Sequence, residues 1–151
     1  MAASPPSPAD SLRLSNQLCF PVYAAANAVQ KAYRRLLAPL GLTYPQYLVM
    51  LVLWERDGLS LVEIGRSLKL DSGTLTPLLK RMQAAGLVRR ERSDADERVV
   101  RVRLTAAGEA LREPAARVPL SMAGTFGLEL NEAVALKAGL EKLIAALDRA
   151  T

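Results

Sequence analysis

The chain has 151 residues, half of them hydrophobic, with 20 Lys and Arg against 15 Asp and Glu, a formal charge of +5. This fits one folded domain with a real core and excludes a disordered chain, while the positive balance favours a polyanionic partner, the more so in a homodimer. With no histidine and one cysteine, a Ser-His or Cys-His nucleophile pair, a His-bearing zinc site and an intrachain disulfide are all excluded.

Residues 1–13 open with Pro, Ser and Ala, and lack the basic region and apolar core of a secretory signal, so they read as a mobile tail. Leu14 to about Ala38 has helical periodicity. Leu18, Val22, Ala25, Ala26, Val29, Tyr33, Leu36 and Leu37 fall near one broad face, with Ser15 as the expected N-cap and Pro21 a little inside. Thr43 and Gln46 make a capping box for the next helix, with Pro45 in its first turn. That helix, to about Arg56, is apolar almost all round and is expected to be buried. Its apolar run from Tyr47 to Trp54 is far short of the roughly 20 residues of a membrane span. A cytoplasmic location with no membrane partner is therefore expected.

Leu59 to Thr105 carries the main signal. Ser60 and Glu63 form a second capping box, and the helix they start reaches a turn at Leu70-Asp71. Asp71 caps another helix that stops at Gly86. Two basic strands follow, Leu87–Arg92 and Arg98–Leu104, joined by Ser-Asp-Ala-Asp-Glu. Val100, Val102 and Leu104 alternate with Arg101 and Arg103, as a half-buried strand requires. This order of elements predicts a winged helix-turn-helix, a device for reading duplex DNA.

Within the second helix of the pair, Leu75, Leu78, Leu79 and Met82 must face inward. The opposite face carries Gly73, Thr76, Pro77 and Lys80, with Ser72 at its edge and Thr74 in the first turn. Small residues let the axis sink into the major groove, and hydroxyls and Lys80 bond base edges or phosphates. Arg89, Arg90, Arg92, Arg98, Arg101 and Arg103 crowd the wing. At its tip, Asp96 is expected to orient the Arg98 guanidinium for a narrow minor groove.

Thr105 caps a further helix, which Pro114 and Pro119 interrupt. The last helix starts near Asn131, with an apolar stripe of Ala133, Leu136, Leu140, Leu143, Ile144 and Leu147. The expected fold is mainly α with a small β-wing. Residues 14–42 and 106–151 supply dimerisation helices, and 43–105 the DNA-binding lobe, of a single domain spanning 14–151. A symmetric reader of this kind takes a pseudo-palindromic operator as a homodimer.

Asp96-Glu-Arg98 followed by Val-Arg-Leu-Thr105-Ala-Ala-Gly108 resembles the wing signature of MarR-type transcription factors. Asn16-Gln-Leu-Cys19-Phe, Leu40-Gly-Leu-Thr-Tyr44-Pro-Gln-Tyr-Leu-Val-Met and Leu70-Asp-Ser-Gly-Thr-Leu-Thr-Pro-Leu-Leu-Lys-Arg resemble the OhrR branch, the organic hydroperoxide resistance regulators. The resemblance covers about residues 14–112. It implies a dimeric repressor that leaves its operator when an organic hydroperoxide oxidises its cysteine, releasing a peroxide-detoxification gene. The reactive cysteine falls on Cys19, and the two tyrosines that hydrogen-bond it fall on Tyr33 and Tyr44. Some members carry a second cysteine near the C-terminal helices, but Ser121 to Leu130 has none. The one-cysteine type is implied, its sulfenic acid needing either a low-molecular-weight thiol as a further partner or further oxidation to complete the switch. No metal, cofactor or catalytic residue is expected.

The residues agree with that chemistry. An early helical position and phenol donors both suit a thiolate, the species that attacks peroxide. Cys19 and Tyr33 are 14 positions apart on what reads as one helix, about 21 Å at 1.5 Å per residue. Unless that helix breaks, a bond between them is expected only across a dimer interface. Two other readings compete: a MarR-type repressor gated by a small aromatic ligand, with Cys19 structural, and a thiol peroxidase. The second lacks the upstream Pro and Thr of a peroxiredoxin, since Leu12 and Asn16 stand there.

Overall fold

The computed structural model describes residues 8–150. It begins with one helical turn, α1 (Pro8–Ser11), and a 3-10 turn at Leu14–Asn16, before the long helix α2 (Cys19–Leu37). The helix predicted from Leu14 is thus broken. Gln17 is extended, with φ −88° and ψ 112°, and α2 starts behind Leu18 with no side-chain cap. Ser15 caps nothing, because the Asn16 and Gln17 side chains instead bind carbonyls upstream and fold the chain back. Pro21 falls in the first turn of α2, where its missing N–H breaks no helical bond. Residues 1–7 of the expected mobile tail lie outside the described residues, and its residues 8–11 form α1.

A 3-10 turn at Ala38–Leu40 and a left-handed Gly41 lead to α3 (Tyr44–Glu55), which carries the expected capping box between Thr43 and Gln46. Tyr47, Val49, Met50, Leu53 and Trp54 of α3 are buried, making it the centre of the core. A short strand β1 (Leu59–Ser60) precedes α4 (Leu61–Leu68) and α5 (Ser72–Ala84). The capping box of α4, Ser60 with Glu63, and the Asp71 cap of α5 form as predicted. Leu75, Leu78, Leu79 and Met82 point into the core.

The wing consists of β2 (Val88–Arg92) and β3 (Val100–Leu104), paired antiparallel from Val88↔Leu104 to Arg92↔Val100. β1 adds to the other side of β3 through Leu59↔Val102, giving the order β1-β3-β2. Two residues are too short to show strand periodicity, so β1 has no sequence signature of its own. β3 begins two residues later than predicted because Arg98 belongs to the tip turn, where Val99 N–H meets the Asp96 carbonyl at 2.9 Å.

Beyond the wing lie α6 (Ala106–Ala110), α7 (Arg112–Ala115), α8 (Val118–Phe126) and α9 (Leu130–Ala150). Thr105 caps α6, its hydroxyl accepting from Gly108 N–H at 3.1 Å. Gly108 then lies flat against the strand entry. A Cβ there would stand 2.1 Å from the Leu87 carbonyl oxygen, and the Trp54 indole N–H donates to the Gly108 carbonyl at 3.1 Å. A methyl group must push backbone from backbone, so Gly108→Ala is expected to destabilise the fold by about 3 kcal/mol, readable in thermal denaturation.

The terminal helices are largely uncovered. α9 buries no residue. Leu18, Phe20 and Tyr23 at the start of α2, Leu120 and Phe126 of α8, and Leu130, Val134, Leu136, Leu140, Ile144 and Leu147 of α9 are all exposed. The lower half of the α2 stripe, from Tyr33 to Leu37, packs on the core. No single helix among the described residues is long and apolar enough to cross a membrane.

Candidate nucleic-acid interface and thiol site

The reading face of α5 is open. Ser72, Gly73, Thr74, Pro77 and Lys80 are exposed and Thr76 is half-buried. Thr74 is already engaged: Asp71 accepts from its N–H at 2.8 Å and from its hydroxyl at 3.2 Å. Pro77 lies inside the helix and has no N–H to donate, which leaves a carbonyl one turn back without its usual partner. Backbone and side-chain bonds from Thr74 hold the Asp71 carboxyl below its usual range, in that order of size. Glu63 is held down by Ser60 in the same way, with a smaller contribution from Arg56.

These two carboxylates make the starts of α4 and α5 sensitive to acid. Each has its folded value lowered, so each stabilises the fold above its ordinary value, 3.8 for Asp71 and 4.5 for Glu63, and that stabilisation is lost as pH falls. On acidification below about pH 4, amides at the starts of α4 and α5 are expected to exchange with deuterium before those of α3.

The wing arginines divide into structural and free groups. Arg103 Nε lies 3.2 Å from Glu91, which Arg89 also engages, and these two cations, Arg89 foremost, hold the Glu91 carboxyl down. Arg101 donates to the Gly58 carbonyl at 2.9 Å, and Arg90 to Gln83 at 2.7 Å. Arg92 and Arg98 alone among the six make no side-chain hydrogen bond or ion pair to the described residues. Both are exposed at the outer end of the wing. Composition treats all six arginines alike, so Arg92 does not stand out in the sequence. Asp96 does not bind the Arg98 guanidinium as expected. Its carboxylate accepts from the Arg98 backbone N–H at 3.0 Å, because two residues of separation bring the amide, not the far end of a long side chain, within reach. Asp96 therefore shapes the tip turn and leaves the guanidinium unrestrained.

The second site is divided between the ends of α2. Cys19 is the first residue of the helix and is exposed. Tyr33 and Tyr44 meet at the far end with ring centroids 4.5 Å apart. Tyr47 completes the cluster, 5.7 Å from Tyr33 and 6.5 Å from Tyr44. Its membership was legible in the Tyr44–Tyr47 spacing of three, which places both on one helix face. Burial pushes all three phenols above the ordinary 10.0. They are neutral hydroxyl donors at physiological pH. Their stabilising protonation is lost only as pH rises beyond 10.

The α2 helix is continuous over 19 residues, so Cys19 and Tyr33 of one chain stay about 21 Å apart. The chain brings the tyrosines together and keeps the thiol away from them.

A family model described as transcriptional regulator SarA/Rot matches residues 31–113. The organic hydroperoxide resistance transcriptional regulator of Bacillus subtilis (strain 168) is 44% identical over 138 residues, covering 91% of this chain and 94% of its own. The chain belongs to the MarR family of transcriptional regulators. Within it, the similarity is to the OhrR branch. The HTH-type transcriptional regulator TtmR of Methylorubrum extorquens (strain PA1) is 56% identical over 127 residues, 84% of this chain. The match spans 65% of the length of TtmR. Reduced AbfR bound to DNA, from the AbfR of Staphylococcus epidermidis, superimposes with a TM-score of 0.79 at 38% identity, covering 92% of this chain and 95% of that one. AbfR has also been solved overoxidized on DNA and in a disulfide form. As a member of this family the chain is a winged-helix regulator of transcription and not an enzyme.

Proposed function

We propose that the chain is a homodimeric repressor that binds a pseudo-palindromic operator and releases it when an organic hydroperoxide oxidises Cys19. The observation that carries this reading is the split site. The thiol starts α2, the phenols that would activate it meet near the other end of α2, Tyr44 coming from α3, and apolar residues of α2, α8 and α9 stand exposed. A second copy covers those residues and brings Tyr33 and Tyr44 of the partner subunit to Cys19. Residues 14–42 and 106–151 are then the dimerisation part, and 43–105 the reading lobe, of a cytoplasmic regulator.

In the sensing step the thiolate attacks the outer peroxide oxygen. A sulfur–oxygen bond forms as the oxygen–oxygen bond breaks. Sulfur is oxidised to sulfenic acid, the hydroperoxide is reduced to its alcohol, and the proton shed by the thiol ends on the alcohol oxygen. The phenols donate to the thiolate before attack and to the departing oxygen after it. No second cysteine is present, so a low-molecular-weight thiol completes the switch by forming a mixed disulfide and water. AbfR in its overoxidized form is bound to DNA, which supports the mixed disulfide over further oxidation as the releasing form.

On DNA, α5 lies in the major groove. Ser72, Gly73, Thr76, Pro77 and Lys80 face the bases and phosphates, with Thr74 available once it leaves Asp71. Arg98 enters the minor groove from a tip shaped by Asp96, and Arg92 lies behind it. Half-sites are about 10 bp apart, or a multiple of that. Lys80→Ala is expected to weaken operator binding and to flatten the log–log salt slope by about 0.9 if it loses one phosphate contact. Arg98→Ala is expected to weaken binding with unchanged circular dichroism. Unchanged affinity in both variants removes the proposed docking. The direct test of the whole reading is a gel shift on a palindromic fragment with cumene hydroperoxide and then dithiothreitol. Release followed by rebinding supports it. Indifference to peroxide supports a ligand-gated repressor, for which a cleft of about 560 Å³ between Leu36, Pro39, Leu40, Pro114, Arg117 and Val118 is the available space.

A further inference from the structure

We infer that the side-chain amides of Asn16 and Gln17 are positioning groups for Cys19, an inference that rests on Cys19 being the sensing thiol. α2 begins without a side-chain cap, since Leu18 stands at the N-cap in helical geometry. All residues from 11 to 21 are exposed. Apolar packing within the chain therefore does not hold the start of the helix.

Hydrogen bonds hold it instead. Asn16 Nδ2 donates to the Asp10 carbonyl at 2.8 Å. Gln17 Nε2 donates to the Arg13 carbonyl at 3.3 Å and also to that of Ser11. Backbone bonds link Arg13 N–H to Asp10 at 3.2 Å, Asn16 N–H to Arg13 at 3.0 Å and Gln17 N–H to Leu14 at 3.1 Å. The Arg13–Asp10 ion pair, at 3.2 Å, closes the outer side. The result is a self-bonded hook. Phe20 N–H reaches the Gln17 carbonyl at 3.4 Å, so the first turn of α2 hangs from the residue whose side chain closes the hook.

This arrangement has a direct bearing on the thiol. Two consecutive donors fix the chain direction just before the Leu18-Cys19 step, and with it the direction in which the Cys19 side chain leaves the helix. Leu12, Leu14 and Leu18 are exposed on or next to the same hook, and the second copy covers them in the proposed dimer. With both amides in place, hook, leucines and thiol meet the partner as one rigid unit. Without either, the thiol loses its fixed approach to Tyr33 of the partner subunit.

Asn16→Asp and Gln17→Glu keep the side-chain size and replace the donor by an acceptor that a carbonyl repels. Three quantities are read on the reduced full-length dimer: the rate of Cys19 oxidation by cumene hydroperoxide, the rate of its alkylation by iodoacetamide, and operator affinity. Each variant is expected to react about tenfold more slowly with hydroperoxide, which needs an oriented donor. Alkylation, read at a pH where the thiol is fully ionised and so needing no donor, and operator affinity are expected to match the wild type. Wild-type hydroperoxide rates in both variants overturn the inference. So does equal slowing of both reagents, which marks a general disturbance of the helix start. If the added charge weakens the dimer, Asn16→Ala and Gln17→Ala are read in the same way. Failure of the sensing function itself appears elsewhere, as peroxide-driven release by Cys19→Ser with Asn16 and Gln17 intact.

Discussion

Cys19→Ser is expected to bind the operator like the reduced wild type and to remain bound after hydroperoxide treatment. Serine keeps the shape of the side chain and removes the nucleophile. Because Cys19 is exposed at the start of α2 and packs against none of the buried core residues, the exchange leaves the core and the reading lobe untouched. The effect should therefore be all or none in the response and nearly absent in affinity. Mass spectrometry of the treated wild type should place one oxygen or one thiol adduct on Cys19 and none on the buried Met50, Met82 and Met122. If the serine variant still releases DNA, the sensor lies elsewhere, in the methionines or in the cleft beside Leu36 and Arg117.

Much of this layout is legible in the sequence because it depends on local rules. The capping boxes Thr43–Gln46 and Ser60–Glu63 and the cap Asp71 act within one turn, and each forms as its residue types require. The inward face of α5 follows from helical spacing alone. What escapes the sequence depends on contacts made at a distance or on competition between neighbours. Ser15 has the chemistry of a cap, but the amides of Asn16 and Gln17 capture upstream carbonyls and end the turn before a helix can start there. β1 exists only because β3 offers it an edge. The wing arginines are indistinguishable in composition, yet Glu91, Gln83 and Gly58 engage four of them and leave the Arg92 and Arg98 side chains without a bond among the described residues. Tyr33 and Tyr44, which lie on different helices, meet with ring centroids 4.5 Å apart. The length of α2 keeps them from the cysteine of the same chain.

That geometry is testable in a mixed dimer. Tyr33→Phe in both subunits removes the phenol donor to the thiolate. A hydrogen bond to a charged group contributes about 1.5–3 kcal/mol, so oxidation by hydroperoxide is expected to slow about tenfold or more while reduced operator binding is unchanged. The decisive heterodimer pairs one chain carrying Cys19→Ser with another carrying Tyr33→Phe. Its single thiol belongs to the Tyr33→Phe chain and faces an intact Tyr33 contributed by the other. If the tyrosine acts across the interface, this heterodimer reacts at the wild-type rate per thiol. If it acts within its own chain, the reaction is as slow as in the Tyr33→Phe homodimer. The complementary control carries both substitutions in one chain against an unaltered partner. Its thiol lies in the unaltered chain and faces a ring without a hydroxyl, so reaction across the interface is slow and reaction within the chain is fast. The two heterodimers must therefore exchange rates between the two geometries. Slow reaction in the first together with fast reaction in the second would require α2 to break between Cys19 and Tyr33, and the intersubunit mechanism would be wrong.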